Sequence, residues 1–232
     1  MDKGINNNGF DYVDLGLPSG TLWATMNVGA SKPSDAGLYF QWGDTQGYTA
    51  AQVGTSEGKK KFASDWSDYK WYSGGKFTKY TTKGAILELE DDAAHVNMGG
   101  DWHMPTPTQI QELLNNTTNT WTTQDGVNGR LFTSKSDNSK SIFIPAAGNA
   151  WDGSVQGSGD FGFVWSSMFL LHICPNDVVC CSGDFGFVWS SMLDADSVFG
   201  GQDLVFDSGS VYLGFSSRCD GLSVRGVIDN NF

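Results

Sequence analysis

Alternating apolar residues on both sides of a short turn predict an antiparallel hairpin near the C-terminal end of the chain. Ser208–Gly209 is a turn signal between two such runs. Side chains at every second position of a strand share one face. The positions predicted to face the core are Leu204, Phe206, Val211 and Leu213. The positions predicted to point the other way are Val205, Asp207, Ser210, Tyr212 and Gly214.

A helix signal precedes this hairpin. Thr106 is a candidate N-cap, Pro107 suits the first helical position and Gln109 completes a capping box. Ile110 and Leu113 then give one apolar face. Other patterns predict a short helix over residues 90–96, an irregular region over 43–84, and strands within 11–30, 38–42, 129–133, 141–145 and 222–227. Early helices and a late antiparallel sheet favour the α+β class.

An undrifted duplication lies just before the hairpin. Residues 158–168 and 182–192 are the same eleven-residue string, SGDFGFVWSSM, and the segment 169–181 between them holds three of the four cysteines. A fold has one position for one such strand. We therefore expect one copy to form the core strand and the other copy, with 169–181, to form an added excursion from the fold. The sequence leaves open which copy does which.

Charge and hydropathy exclude several classes of function. The formal net charge is −12, and no stripe of Lys and Arg offsets it, so we expect no nucleic-acid partner. No run of about 18 apolar residues exists, so we expect no membrane span. The cysteines lack metal-binding spacing, although Cys174 and Cys180 could close a small loop in an oxidising compartment.

Landmark strings along the chain resemble a known family. VDLGLPSGTLWATMNVGA, YFQWGDT, EDDAAHVNMGGDWHMPTPTQIQELL, SIFIPAAG, VWSS and GLSVRGVID occur in this order between residues 11 and 229. Together they resemble a C-type-lectin-fold domain of gut-dwelling bacteria and their phages, which is distantly similar to the formylglycine-generating-enzyme group. The resemblance implies an N-terminal tail over 1–10 and a single C-type-lectin-like domain over 11–232.

Some members of this family resemble variable proteins of diversity-generating retroelements, in which a reverse transcriptase rewrites the 3′ end of the gene at adenines. Lys, Glu, Gln, Trp and Met cannot be reached from the Asn codons that are the richest targets. The resemblance implies a variable region over about 169–220. Its predicted ligand-binding positions, all of reachable types, are Leu193, Asp194, Asp196, Ser197, Val198, Phe199, Gly200, Val205, Asp207, Ser210, Tyr212, Gly214, Phe215, Ser216, Ser217, Cys219 and Asp220. Added surface is predicted at Phe169, Leu170, His172, Pro175, Asn176 and Asp177.

This resemblance implies a binding or adhesion protein without catalysis or cofactor. Its partner would be a protein or cell-surface ligand, and aromatic Phe199, Tyr212 and Phe215 are the expected anchors. Display on a bacterial surface, outside the cell, or on a phage particle is expected. One alternative is a non-diversified extracellular or pilus-associated lectin-like domain. Another is an oxidase of the formylglycine-generating type, for which Cys219 lacks a suitably spaced partner cysteine.

Candidate metal ligands have simpler explanations. Asp91 and Asp92 suit the positive end of a helix, and Asp194 with Asp196 lacks the remaining oxygens of a calcium site. The histidines show no zinc spacing. We therefore expect no metal site, and we expect Cys219 to be an incidental, partly exposed thiol.

Overall fold

The computed structural model describes residues 4–5, 8–63, 65–158 and 186–229. These residues form a mixed, strand-rich structure with few helices and small, mainly antiparallel sheets, consistent with the α+β class. The first half of the chain contains strands β1 to β6, at Gly4–Ile5, Asp11–Asp14, Leu22–Ala24, Tyr39–Phe40, Tyr72–Ser73 and Lys76–Phe77. The second half contains β7 to β16, at Thr117–Gln124, Val127–Ser134, Ser141–Pro145, Asn149–Trp151, Ser154–Gln156, Gly186–Leu193, Gly200–Phe206, Val211–Ser217, Leu222–Ser223 and Val227–Ile228.

A five-stranded sheet in the order β14-β13-β12-β15-β4 carries the predicted hairpin. β13 and β14 pair antiparallel in seven consecutive register pairs, from Gly200↔Ser217 to Phe206↔Val211, which confirms the hairpin. β12 is built from the second copy of the duplicated string, and it pairs with β13 on one side and parallel with β15 on the other. The second copy therefore forms the central strand. The first copy, from Gly159 onward, and the segment 169–181 lie outside the described residues.

The predicted helix is confirmed as α4, Pro107–Asn116. The Thr106 side chain accepts from the Gln109 amide, and the Gln109 side chain accepts from the Thr106 amide, so the capping box is complete. The other α-helices are α1 at Ala50–Val53, α2 at Ser56–Lys61 and α3 at Ala93–Met98, with a 3-10 turn at Leu89–Asp91. Residues 43–84 are therefore less irregular than predicted, because two short capped helices and the β5–β6 hairpin lie within them.

Apolar clusters cover both faces of the five-stranded sheet. On one face, Val188, Leu204 and Phe206 pack with Ile110 and Leu113 of α4. The opposite face contributes Val205, Leu193 and Leu222 to a second cluster, which contains Trp42, Trp102 and residues of α3. β13 therefore buries side chains on both faces over most of its length, unlike a strand of a half-exposed antiparallel sheet, whereas β14 has no fully buried residue.

The ends of the described chain meet in a second sheet of order β1-β2-β3-β16. Gly4↔Tyr12 and Ile5↔Asp11 pair β1 with β2, so this part of the predicted N-terminal tail belongs to the sheet. β7, β8 and β9 form a third sheet, and β7 was not predicted from the sequence. Among the described residues, no helix is both long and apolar enough to cross a membrane.

Candidate ligand-binding surface

The predicted binding positions divide into three groups by solvent exposure. The exposed positions are Asp196, Phe199, Ser210, Tyr212 and Phe215. The half-buried positions are Val198, Asp207, Gly214, Ser216 and Ser217. The buried positions are Leu193, Asp194, Ser197, Gly200, Val205, Cys219 and Asp220, so their prediction as displayed surface is wrong. The predicted additional surface at 169–177 lies outside the described residues.

Val205 illustrates why alternation alone overestimated the displayed surface. It does point away from Leu204 and Phe206, as predicted, but only 4% of it is exposed because the second apolar cluster covers that face. A Cβ added at Gly214 would lie 2.6 Å from Val205 Cγ2, so these two predicted variable positions are in steric contact. A change at one of them therefore constrains the other.

Tyr212 and Phe215 lie on opposite faces of β14, because they are three positions apart in an extended strand. Tyr212 pairs with Val205 across the hairpin, and Phe215 pairs with Gln202. Tyr212 is 45% exposed and Phe215 is 42% exposed. β13 pairs with only one edge of β14. The expected anchors therefore flank the free edge of the sheet instead of sharing one flat face.

Phe199 belongs to an aromatic patch, defined here as Trp66, Tyr72, Phe77 and Phe199. The ring centroids of Phe199 and Phe77 are 5.2 Å apart, and those of Phe77 and Trp66 are 5.3 Å apart, both in edge-to-face geometry. Trp66 has a φ of 66°, a left-handed conformation that a large side chain adopts only when its surroundings impose it. The sequence identified only Phe199, since the other three lie in the region predicted to be irregular.

Arg218 lies directly beneath the aromatic patch. It is fully buried, and its guanidinium carbon lies 4.4 Å from the ring centroid of Phe77 and 5.1 Å from that of Tyr69. Its Nε donates to the Tyr69 hydroxyl at 2.8 Å, and its Nη atoms donate to the carbonyls of Lys79, Tyr80 and Val198. Arg218 therefore joins the 66–80 segment to the loop that carries Phe199.

Among the described residues, no carboxylate lies within ion-pairing distance of Arg218. Burial lowers the pKa of its guanidinium, and the nearby Tyr69 hydroxyl opposes that effect. The charge is instead spread over three carbonyl dipoles and the faces of aromatic rings, an arrangement that suits the weakly hydrated guanidinium better than an ammonium.

Two buried carboxyl groups lie in β13 and just after β14. Asp203 is fully buried and accepts from the Ser216 hydroxyl at 2.5 Å, while its Oδ1 has no hydrogen-bond partner among the described residues. Burial raises the pKa of Asp203 to about 8 and that of Asp220 to about 7, and the charge of Asp220 adds to the shift at Asp203. Near neutral pH these groups therefore hold protons that an exposed aspartate would have released.

Cys219 is buried, with 3% exposure, so the prediction of a partly exposed thiol is wrong. Its Sγ lies 3.2 Å from the Ser217 hydroxyl oxygen. Burial, followed by the nearby Asp220 carboxyl, raises the pKa of the thiol to about 12. A thiol in this state is a poor nucleophile, because the thiolate is the reactive form.

Three acidic side chains, Glu88, Glu90 and Asp91, lie close enough together to bind a metal ion, but the Lys79 ammonium lies between them. Lys79 Nζ lies 2.6 Å from Glu88 Oε2, 3.3 Å from Glu90 Oε1 and 2.6 Å from Asp91 Oδ2. These contacts, that with Asp91 foremost, raise the pKa of Lys79. The other candidate, Asp92, caps α3 as predicted and also accepts from the Met104 amide. Both sets of oxygens are thus already used within the chain.

Comparisons of this chain with family models, with curated proteins and with solved structures find no match.

Proposed function

We propose that this protein is a binding or adhesion module on a C-type-lectin-like fold, with a recognition surface diversified by retroelement mutagenesis and without catalysis. The surface would comprise the aromatic patch, Tyr212, Phe215 and the other exposed positions between 194 and 217. It would act on a cell surface, outside the cell, or on a phage particle, and its ligand would be a protein or another surface component. A non-diversified lectin-like domain is the alternative.

One observation supports this proposal most directly. Six large hydrophobic residues are exposed among the described residues, and three of them, Phe199, Tyr212 and Phe215, lie in the predicted variable region. All three residue types are reachable from the mutable Asn codons. Exposed aromatic side chains are costly to keep in water and dominate binding energy in interfaces. Their concentration at the positions predicted to vary is what a diversified binding surface requires.

The residues beneath this surface are suited to remain constant. Arg218, Leu204 and Phe206 are fully buried, and each makes contacts that a substitution would break. Side chains that project from such a rigid base can change without unfolding the protein. The buried Cys219 thiol weakens the oxidase alternative, because that chemistry needs a reactive thiolate.

Sequencing the surrounding gene locus tests the proposal. We expect a reverse-transcriptase gene and a second copy of the 3′ coding segment that differs from the first only at adenines. Alleles from related strains should vary at the codons of Phe199, Tyr212 and Phe215 and stay constant at those of Leu204 and Arg218. Substitutions spread over non-adenine positions, or equal variation at buried and exposed codons, would refute diversification.

A further inference from the structure

Among the described residues, β14 is an edge strand of the five-stranded sheet. In an antiparallel pair, alternate residues direct their N–H and C=O groups away from the neighbouring strand. From Val211 to Ser216, no described residue outside β13 hydrogen-bonds to the β14 backbone. Within the described part of the chain, this edge therefore presents a row of backbone donors and acceptors that are not paired with another strand.

The protective devices that an edge strand can carry within itself are missing from β14. Its sequence, VYLGFSS, contains no charged residue and no proline, and its register with β13 is continuous over seven pairs without a bulge. The opposite edge of the same sheet, β4, is only two residues long, and Tyr48 pairs with Tyr39 through two backbone hydrogen bonds that cover it. As far as the described residues show, the β4 edge is thus closed and the β14 edge is open.

Side chains on both faces of β14 extend the open edge. On one face, Val211 and Leu213 are half-buried and continue to the exposed Phe215. On the other face, Tyr212 is exposed beside the small residues Gly214 and Ser216. A strand added at this edge would place its alternate side chains against an apolar row on one face and against a tyrosine on the other. Such cross-strand pairs stabilise sheets.

Charge distinguishes a second copy of this chain from another protein as the source of such a strand. A second copy of this chain would bring another net charge of −12 to the edge, and the two copies would repel each other. A neutral or basic segment of another protein meets no such repulsion. The open edge itself requires an extended polypeptide, because only a strand supplies donors and acceptors at the matching spacing.

We propose that β14 binds an extended, neutral or basic segment of a partner protein by strand addition. This inference rests on the proposed function and narrows its ligand to a polypeptide. Backbone hydrogen bonds would then supply affinity that does not depend on the variable side chains. The side chains at 212 and 215 would select among partner sequences.

The test uses the full chain and peptides selected against it from a displayed library of random linear twelve-residue sequences. The tightest peptide is resynthesised in two versions, N-methylated at either the odd or the even amides of its binding core. A strand offers only one edge to β14, so one version should bind at least about tenfold more weakly and the other should bind nearly unchanged. Equal effects of the two methylation patterns, or a library that yields no binding peptide, would overturn the proposal.

Hydrogen exchange locates the contact and supplies an internal control. The outward amides of β14 should exchange quickly in the free protein and slow down when the peptide binds. β7 is a second long edge strand, of sequence TTNTWTTQ, and its amides should not respond. Slow exchange of every β14 amide in the free protein would mean that the edge is already paired, which would also overturn strand addition.

A paired variant separates failure of this inference from failure of the proposed function. The double substitution Tyr212→Ser with Phe215→Ser removes the side-chain anchors and leaves the β14 backbone in place. Suppose that this variant no longer binds the peptide, and that the two methylated peptides bind the unsubstituted protein equally well. The proposed binding surface is then supported, and strand addition is refuted. If the variant binds the peptide unchanged and β14 amides do not respond, neither idea holds at this site.

Discussion

Replacement of Arg218 by methionine should detach the aromatic patch from the rest of the protein. Methionine fills much of the space of the arginine stem but donates no hydrogen bond. The carbonyls of Lys79, Tyr80 and Val198 would lose their charged donor, and the Phe77 ring would lose the guanidinium 4.4 Å from its centre. The Tyr69 hydroxyl would keep its bond to the Trp42 carbonyl at 2.7 Å.

The size of the effect follows from these contacts. Each of these three partly buried carbonyls, left without its donor, costs about 1–3 kcal/mol. Part of this total cost is offset, because the variant no longer has to bury the guanidinium charge. We expect Arg218→Met to lower the free energy of unfolding by about 3–5 kcal/mol, a large part of the roughly 5–15 kcal/mol that stabilises a typical domain. Arg218→Lys should recover little of the loss, because one ammonium cannot reach acceptors spread around a planar fork.

Urea unfolding followed by tryptophan fluorescence measures this loss, and hydrogen exchange shows where it acts. Exchange should speed up in residues 66–80 and 194–199 well before the rest of the chain. Arg130→Met is a matched control, because Arg130 is also buried but donates to the Asp207 carbonyl and to Asn119 at the far end of the hairpin. A loss below about 1 kcal/mol for Arg218→Met, or the same exchange pattern in both variants, would refute the assigned role.

Other measurements test the buried groups of the hairpin. Because burial raises the pKa of Asp203 to about 8 and that of Asp220 to about 7, the folded state holds protons that the unfolded chain releases above about pH 4. The free energy of unfolding should therefore fall as pH rises from about 4 to 8. Asp203→Asn should weaken this pH dependence, as measured by urea unfolding at pH 5 and pH 8. The same pH dependence in the variant and the parent would contradict the role of Asp203. Gly214→Ala should cost about 1–3 kcal/mol, and Val205→Ala should relieve much of that cost in a double-mutant cycle, whereas additive effects would show that the positions are not in contact. Cys219 should resist iodoacetamide at pH 8 until the protein unfolds, as measured by mass spectrometry of its peptide; rapid labelling of the native chain would contradict its burial.

Local patterns determined the parts of the fold that depend on neighbouring residues. The capping box at Thr106 and the alternation around Ser208–Gly209 each specify an element through contacts within a few positions, and both are confirmed. The same alternation correctly predicted that Leu204 and Phe206 lie on one face of the strand and Val205 on the other. These predictions succeed because helix caps and strand faces are properties of short segments.

Only the tertiary structure decided which of the two strand faces meets water. Val205 is buried because residues far away in sequence, among them Trp42, cover a face that a lone hairpin would expose. The gathering of Phe77 and Phe199 over Arg218 likewise depends on contacts across more than a hundred residues. That the second VWSS copy forms β12 is visible only in its pairing with β13 and β15. A sequence pattern records how a segment divides its own side chains, whereas the layer that packs against each side is a property of the assembled fold.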